Sequence, residues 1–377
     1  MNIKDYLSDL ELIVNIDSGK DCPEGQKAIA DFFEKRFWEL GWKTKRYAES
    51  PEAGDTLVCM NRKAERYDVM LIGHIDTVFP RGTAADRPFF ADKTKAFGAG
   101  VFDMKQGALL MYYLMKELPD RISNGLNILA VFNHDEEIGS PWSKNVTSEY
   151  AKICDAIFVY EGAGLDGARC ITRKGRLSFK VEFLGRDGHC GYVFENDARS
   201  AISEMARWIV ALDGMQSKKT GTTVNIGVVS GGVAENVVAK HACLASDIRF
   251  SDPEEYDRAR VLLNELTNGA SSRGISVSFS KEMYTPALVP SDKTIAFTDA
   301  LREKLSARGR ALLLRPRGGL SDANKLAPYC SVCIDGMGPA GDNDHSSDEY
   351  LQISSVREAF EISLDAFDII LENKKIR

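Results

Sequence analysis

The sequence predicts an α/β protein: a mostly parallel sheet with helices on both faces, interrupted by an inserted α+β domain of ferredoxin-like type with four strands and two helices. Three observations predict it. Short apolar runs separated by helical patterns occupy the first part of the chain and return at its end. A middle stretch switches to strict apolar–polar alternation. The chain has 377 residues, 44% hydrophobic and 27% charged, which is enough for two to three domains and a large buried core.

Met1 to Asn15 mixes apolar residues with Lys4, Asp5, Asp9 and Glu11, so it reads as an amphipathic helix and not as a secretory signal. Gly25 to Leu40 carries apolar residues at helical spacing and ends near Gly41. Asp68–Ile75, Leu126–Asn133 and Ala156–Tyr160 are short apolar runs of the kind that form buried strands. Met104–Leu118 is a helical pattern stopped by Pro119. Strands alternating with helices indicate a parallel sheet, whose ligands sit beyond the carboxyl ends of the strands.

In the middle, Leu177, Phe179, Val181 and Phe183 alternate with Ser178, Lys180 and Glu182 in a half-buried strand. A helix follows with Asp197 as its expected cap and Ala201, Ile202, Met205, Trp208, Ile209 and Leu212 on one stripe. Strand patterns at Thr222–Val229 and Val237–Phe250 flank a turn at Gly231-Gly232. Asp252-Pro253 opens a helix through Leu266, and Ile275–Ser280 alternates again. Thr285 and Pro286 form the return. Helices at Lys293–Leu305 and Ser354–Leu371 and a strand at Cys330–Asp335 complete the first style. The boundaries are therefore 1–173 and 285–377 for one domain and 174–284 for the insert.

Lys and Arg total 48 and Asp and Glu 55, a net charge of -7, with no basic block. That composition excludes a nucleic-acid surface, and no membrane segment is expected. Eight cysteines are scattered through the chain, which fits a reduced, cytoplasmic protein without disulfides. Cys330 and Cys333 lie in an apolar run and read as packing residues.

The chemistry rests on few residues. There are five histidines: His74, His134, His189, His241 and His345. His74 ends a strand pattern, and Asp76 projects to the same side if the chain stays extended. The pair reads either as a packed core histidine or as a metal ligand steadied by a carboxylate. Asp103 follows Gly98-Ala99-Gly100 and precedes a helix. It reads either as a cap or as a carboxylate shared between two metal ions. His134-Asp135-Glu136-Glu137 leaves a strand, and a turn is needed to bring both glutamates to one site. One of them can then bind metal while the other stays free as a base. Glu161 ends a further strand, and His345 follows a glycine-rich segment. Oxygen and imidazole donors of this kind suit zinc, cobalt or manganese.

These segments resemble the zinc-dependent exopeptidases and deacylases that include glutamate carboxypeptidase, peptidase T, aminoacylase and succinyl-diaminopimelate desuccinylase. The resemblance covers nearly the whole chain. Its motifs are Gly73-His74-Ile75-Asp76-Thr77-Val78, Gly100-Val101-Phe102-Asp103-Met104-Lys105-Gln106-Gly107, Asp135-Glu136-Glu137-Ile138-Gly139-Ser140, Glu161-Gly162 and His345-Ser346-Ser347-Asp348-Glu349. His74–Pro80 and Gly318-Gly319 before Asp322 look most like glutamate carboxypeptidase.

The resemblance implies two Zn2+ per subunit, with Co2+ or Mn2+ as substitutes. Asp103 bridges them, His74 and Glu161 complete one site, and Glu137 and His345 complete the other. Glu136 is the general base and Asp76 steadies His74. The insert becomes a dimerisation lid, and Gly185-Arg186-Asp187-Gly188-His189-Cys190-Gly191 is similar to the loop whose histidine reaches a neighbouring subunit's site. Relatives more often have Ala where Cys190 stands. Asn236 and Arg249 fall where relatives hold a substrate carboxylate, and Arg317 is a further basic candidate. The implied activity is cleavage of an amide in a small peptide or N-acyl amino acid with a free carboxylate, as in a glutamate carboxypeptidase. A deacylase or a di- or tripeptide aminopeptidase is the alternative, and a non-catalytic relative or a metal phosphoesterase the remoter ones.

Overall fold

A computed structural model describes residues 1–376, with side chains described for residues 1–374. Packing divides the chain into two units. One comprises residues 1–171, 290–316 and 321 onward, the other residues 172–289 and 317–320.

The first unit is built on a six-stranded sheet in the order Lys43–Tyr47, Thr56–Met60, Ile128–Asn133, Tyr67–His74, Cys154–Val159, Val332–Ile334. The last four are mutually parallel, and Thr56–Met60 pairs antiparallel with the strand on either side of it. Val69, Leu71, Ala130, Phe132, Ala156 and Phe158 join one core cluster with the helices Ile3–Val14, Pro23–Glu39, Lys105–Lys116 and Ile353–Ile376. Their neighbours Met70, Ile72, Leu129, Val131, Ile157 and Val159 face the other way and are buried too. Burial on both faces is why these strands read as unbroken apolar runs.

The helix Lys105–Lys116 is buried from Lys105 to Met115 and lies directly on the sheet. Gly107 permits that approach, because a Cβ there would fall 1.8 Å from the carbonyl oxygen of Tyr160. Gly107→Ala is therefore expected to destabilise the protein by on the order of 1–3 kcal/mol, read as a lower denaturation midpoint. An unchanged midpoint would show that the helix does not rest on this backbone.

A second, small sheet pairs Gly341–Asp342, Tyr350–Gln352, Lys95–Phe97 and Phe90–Ala91 in that order. Tyr350 pairs with Phe97, which carries the segment around His345 to the loop that leads into Asp103. Strands of two or three residues have no readable period, so sequence analysis does not find this sheet.

The second unit contains a four-stranded antiparallel sheet in the order Ser276–Thr285, Gly175–Leu184, His241–Phe250, Thr223–Gly231. The helices Ala201–Asp213 and Pro253–Ser272 share its core. Leu177, Phe179, Val181, Phe183, Leu244 and Ile248 pack with Met205, Trp208, Leu212, Ala259 and Leu263.

Several boundaries differ from expectation. The helix expected to be capped by Asp197 starts at Ala201 and is capped by Ser200, whose side chain accepts from Ser203 N–H. Arg199 is paired with Arg186 in a bridge, so a helix cannot begin earlier. The strand expected from Val237 begins at His241, because Val237 pairs with His189 instead. The helix expected to stop at Leu266 continues to Ser272 and buries Ala270. The strand Cys330–Asp335 shortens to Val332–Ile334. All eight cysteines are free thiols. Among the described residues no helix is long and apolar enough to cross a membrane.

Candidate metal centre

Three adjacent parallel strands set the frame. His74 is paired with Asn133, and Ile72 with Val159, so His74, the turn after Asn133 and the segment reaching Glu161 leave the sheet at the same carboxyl end. A polar cluster there is expected, since backbone pairing stops and side chains converge.

His74 is buried. Its Nδ1 lies 3.1 Å from the carbonyl oxygen of Asp76 and 3.3 Å from Asp76 Oδ1. Its Nε2 faces Asp103 Oδ1 at 3.0 Å and Glu161 Oε1 at 3.5 Å. The carboxylate of Asp76 also accepts from the backbone N–H of Glu136 at 3.2 Å and of Glu137 at 3.0 Å. One aspartate thus orients the imidazole and anchors the next motif. Glu136–Ile138 form a single 3₁₀ turn ended by Gly139 at φ +90°. In an extended chain the two glutamates would face opposite ways, and this turn redirects them.

Asp103 does not cap the helix after it. The cap position is Met104, without a side-chain bond. Instead the carboxylate of Glu349 accepts from the N–H groups of Gly100 at 2.9 Å and of Phe102 and Asp103 at 2.8 Å each, which holds the loop. Asp103 Oδ2 then lies 3.1 Å from His345 Nε2, which is 3.3 Å from Glu137 Oε2. The two histidines differ in setting: the His74 side chain is 2% exposed and that of His345 52%. Asp103, Asp344 and His345 also offer ligand atoms within 4.8 Å of one another, as do His74, Asp103 and Glu137.

Burial raises the Glu136 carboxyl to about 8, with the Lys325 ammonium pulling the other way. Burial raises Glu137 to about 7 against its contact with His345. Glu161 is raised by burial and by the charge of Asp103. Burial also opposes charge on Asp103, but His345 and His74 hold it below the usual carboxylate range. Asp103 and Glu137 raise His345 to about 11. Burial opposes charge on His74, yet Asp103, Asp76 and Glu161 hold it well above its usual value. So much negative charge at a buried point needs cations near it.

The residues fit divalent metal. Glu137 Oε1 is buried and accepts no hydrogen bond, and Asp103 Oδ1 is buried with the His74 imidazole beside it. A buried acceptor without a donor is rare, and here both oxygens point among imidazole nitrogens and other carboxylates, a hard donor set. The second nitrogen of His74 is already tied to Asp76, as a metal-bound imidazole requires.

Sequence reasoning did not find three contributors: Lys325, Glu349 as the clamp on the Asp103 loop, and Asp344. Lys325 follows Asp322 by three residues on the short helix Asp322–Leu326, a spacing that could have flagged it. Nothing local marks Glu349 as a clamp.

The remaining candidates belong to the second unit. His189 is exposed, its Nδ1 accepts from Gly191 N–H at 3.1 Å, and its bridge with Val237 brings it beside Asn236, whose carbonyl accepts from Cys190 N–H. Arg249 is engaged with Asp247, Nε to Oδ1 at 2.7 Å. Arg317 bridges through its backbone to Thr172 and Lys174.

The family model for peptidase family M20/M25/M40 matches residues 70–368. Carboxypeptidase G2 from Pseudomonas sp. (strain RS-16) is 27% identical over 353 residues, 92% of this chain and 85% of that protein. A peptidase M20 domain-containing protein from Schizosaccharomyces pombe is 26% identical over 311 residues, 80% of this chain and 74% of that protein. Two solved structures share the fold. A tripeptidase from Staphylococcus aureus matches with a TM-score of 0.80 at 22% identity, covering 99% of each chain. An M20 family metallo-carboxypeptidase from Sulfolobus solfataricus matches with 0.72 at 16% identity, covering 98% of this chain and all of the other. With the family model spanning most of the sequence, the chain belongs to peptidase family M20/M25/M40, metal-dependent hydrolases of the peptidase and carboxypeptidase type.

Proposed function

We propose that the protein is a two-metal amidohydrolase acting as a carboxypeptidase on small peptides or N-acyl amino acids with a free carboxylate, C-terminal glutamate first among them. The observation that carries the two-metal reading is the division of Asp103. Its Oδ1 faces His74, which is also near Glu161, and its Oδ2 faces His345, which is also near Glu137. His74, Asp103 and Glu161 would hold one ion. Asp103, Glu137 and His345 would hold the other, with Asp344 in reach. Zn2+ fits these donors, and Co2+ or Mn2+ can replace it. The carboxypeptidase reading draws on the likeness to carboxypeptidase G2.

When bound, the paired cations supply Lewis-acid polarisation of the scissile carbonyl and a more acidic attacking water. Glu136 takes the proton from that water and returns it to the leaving nitrogen. Asp76 keeps His74 and the Glu136–Glu137 turn in register. His189 is assigned to the developing oxyanion, and Asn236, Arg249 and Arg317 to the substrate carboxylate. Two copies pair through the inserted unit, whose edge strand Thr223–Gly231 exposes Val228 and Val229.

The test is elemental analysis of dialysed protein, with an activity screen of zinc- and cobalt-loaded samples on N-acyl amino acids and dipeptides and a chelator control. Two bound ions per chain and chelator-sensitive release of the C-terminal residue are expected. One ion per chain, or no cleavage of any carboxylate-bearing amide, would overturn the proposal.

A further inference from the structure

The general base is held by one side chain. Glu136 has three rotatable side-chain bonds, and its carboxylate must be aimed. Among the described residues a single donor reaches it: Lys325 Nζ, 3.4 Å from Oε1. Lys325 is in turn fixed. It donates to Ser140 Oγ at 2.7 Å and to Asp322 Oδ1 at 3.5 Å, so its three N–H groups are all spoken for. Ser140 passes the contact on, its hydroxyl donating to Asp322 Oδ1 at 3.4 Å. Asp322 Oδ2 accepts from Asn133 Nδ2 at 2.8 Å.

This chain of contacts returns to where it began. Asn133 is the last residue of the strand Ile128–Asn133, which leads into Glu136, and Ser140 follows the Glu136–Ile138 turn. The base and its holder are thus referenced to one strand end. Two further features support a purpose for the network. Ser140 adopts φ +57°, a left-handed conformation unfavourable for serine, at the position that puts its hydroxyl between Lys325 and Asp322. The short helix that carries Lys325 is itself pinned by a capping box at Ser321, whose hydroxyl donates to Asp335 Oδ2 at 2.6 Å. The Lys325 side chain is only 18% exposed and its donors are engaged, which separates it from a lysine open to a substrate carboxylate.

We propose that Lys325 is the positioning residue of the catalytic base: its ammonium occupies Oε1 of Glu136, leaving Oε2 to exchange the proton with water and leaving group. This rests on the assignment of Glu136 as base. The proton count is unchanged by it. Glu136 gains one proton from the water and gives it up to the nitrogen, while Lys325 stays an ammonium throughout, held by Asp322 and Ser140.

The test compares Lys325→Met, which keeps the aliphatic stem and removes the ammonium, with Lys325→Arg, Ser140→Ala and Glu136→Gln, all as full-length metal-loaded enzyme. Lys325→Met is expected to lower kcat by roughly 10²-fold, the scale of a misaimed reacting group, with KM and bound metal unchanged. Lys325→Arg should recover part of the loss, and Ser140→Ala should fall between. Adding Lys325→Met to Glu136→Gln should cost nothing more, because a holder has no function without the group it holds. An unchanged kcat in Lys325→Met beside an inactive Glu136→Gln overturns the positioning role alone. So does a kcat loss that follows metal loss, or a rise in KM at constant kcat. If Lys325→Met does not fold, full activity in Ser140→Ala and no loss in Lys325→Arg overturn it instead. An active Glu136→Gln overturns the assignment of the base itself.

Discussion

Glu136→Gln is expected to leave bound metal at the parental level and to lower kcat by about 10²–10⁴-fold, the range attributable to a positioned proton carrier. The reason lies in how the two adjacent glutamates part company. Glu137 is turned toward His345, while Glu136 meets Lys325. A change confined to Glu136 therefore removes no donor from the metal cluster. Glutamine keeps the size and can still occupy the place beside Lys325, so the fold around Asp322 should persist. Elemental analysis and kcat on the same sample decide the matter. Parental turnover with full metal content would remove Glu136 from the mechanism. Loss of metal would move it into the ligand set.

Asp103→Ala is expected to abolish activity and to bring bound metal close to none, the largest effect of any single change at this site. Each of its carboxylate oxygens faces a different histidine, so both candidate ions lose a ligand at once. His74→Ala and His345→Ala should each weaken one ion preferentially. The difference can be read without activity. A cation that binds only the folded state stabilises it by about 2.7 kcal/mol at a hundredfold excess over Kd. Added zinc should therefore raise the melting temperature of the parent and fail to raise that of Asp103→Ala. An equal zinc-induced shift in both would place the metal elsewhere. The clamp from Glu349 to Gly100, Phe102 and Asp103 N–H groups does not need the Asp103 side chain, so the loop should keep its path in this variant.

The parallel sheet was legible because both of its faces are buried, which turns each strand into an apolar run that ends where a donor begins. His74, Glu136, Glu137 and Glu161 all stand within a few residues of such an end. The inserted unit was legible from alternation alone, since one face of its sheet meets two helices and Leu177, Phe179, Val181 and Phe183 fall on that face. Its boundaries were less so. Asp197 offers a cap to an isolated reading, but pairing of Arg199 with Arg186 delays the helix to Ser200.

By itself the sequence marked His74, Asp103, Glu137, Glu161 and His345 as candidate metal ligands and located the parallel strands and the longer helices in their order, because each is written in neighbouring residues. Only the tertiary structure decided how His345 meets Asp103, that Glu349 grips a loop 249 residues before it, and that Lys325 is the partner of Glu136. Those contacts depend on very short strand pairings and on helix placement across the chain. Their energy comes from geometry between distant segments, and no local period records it.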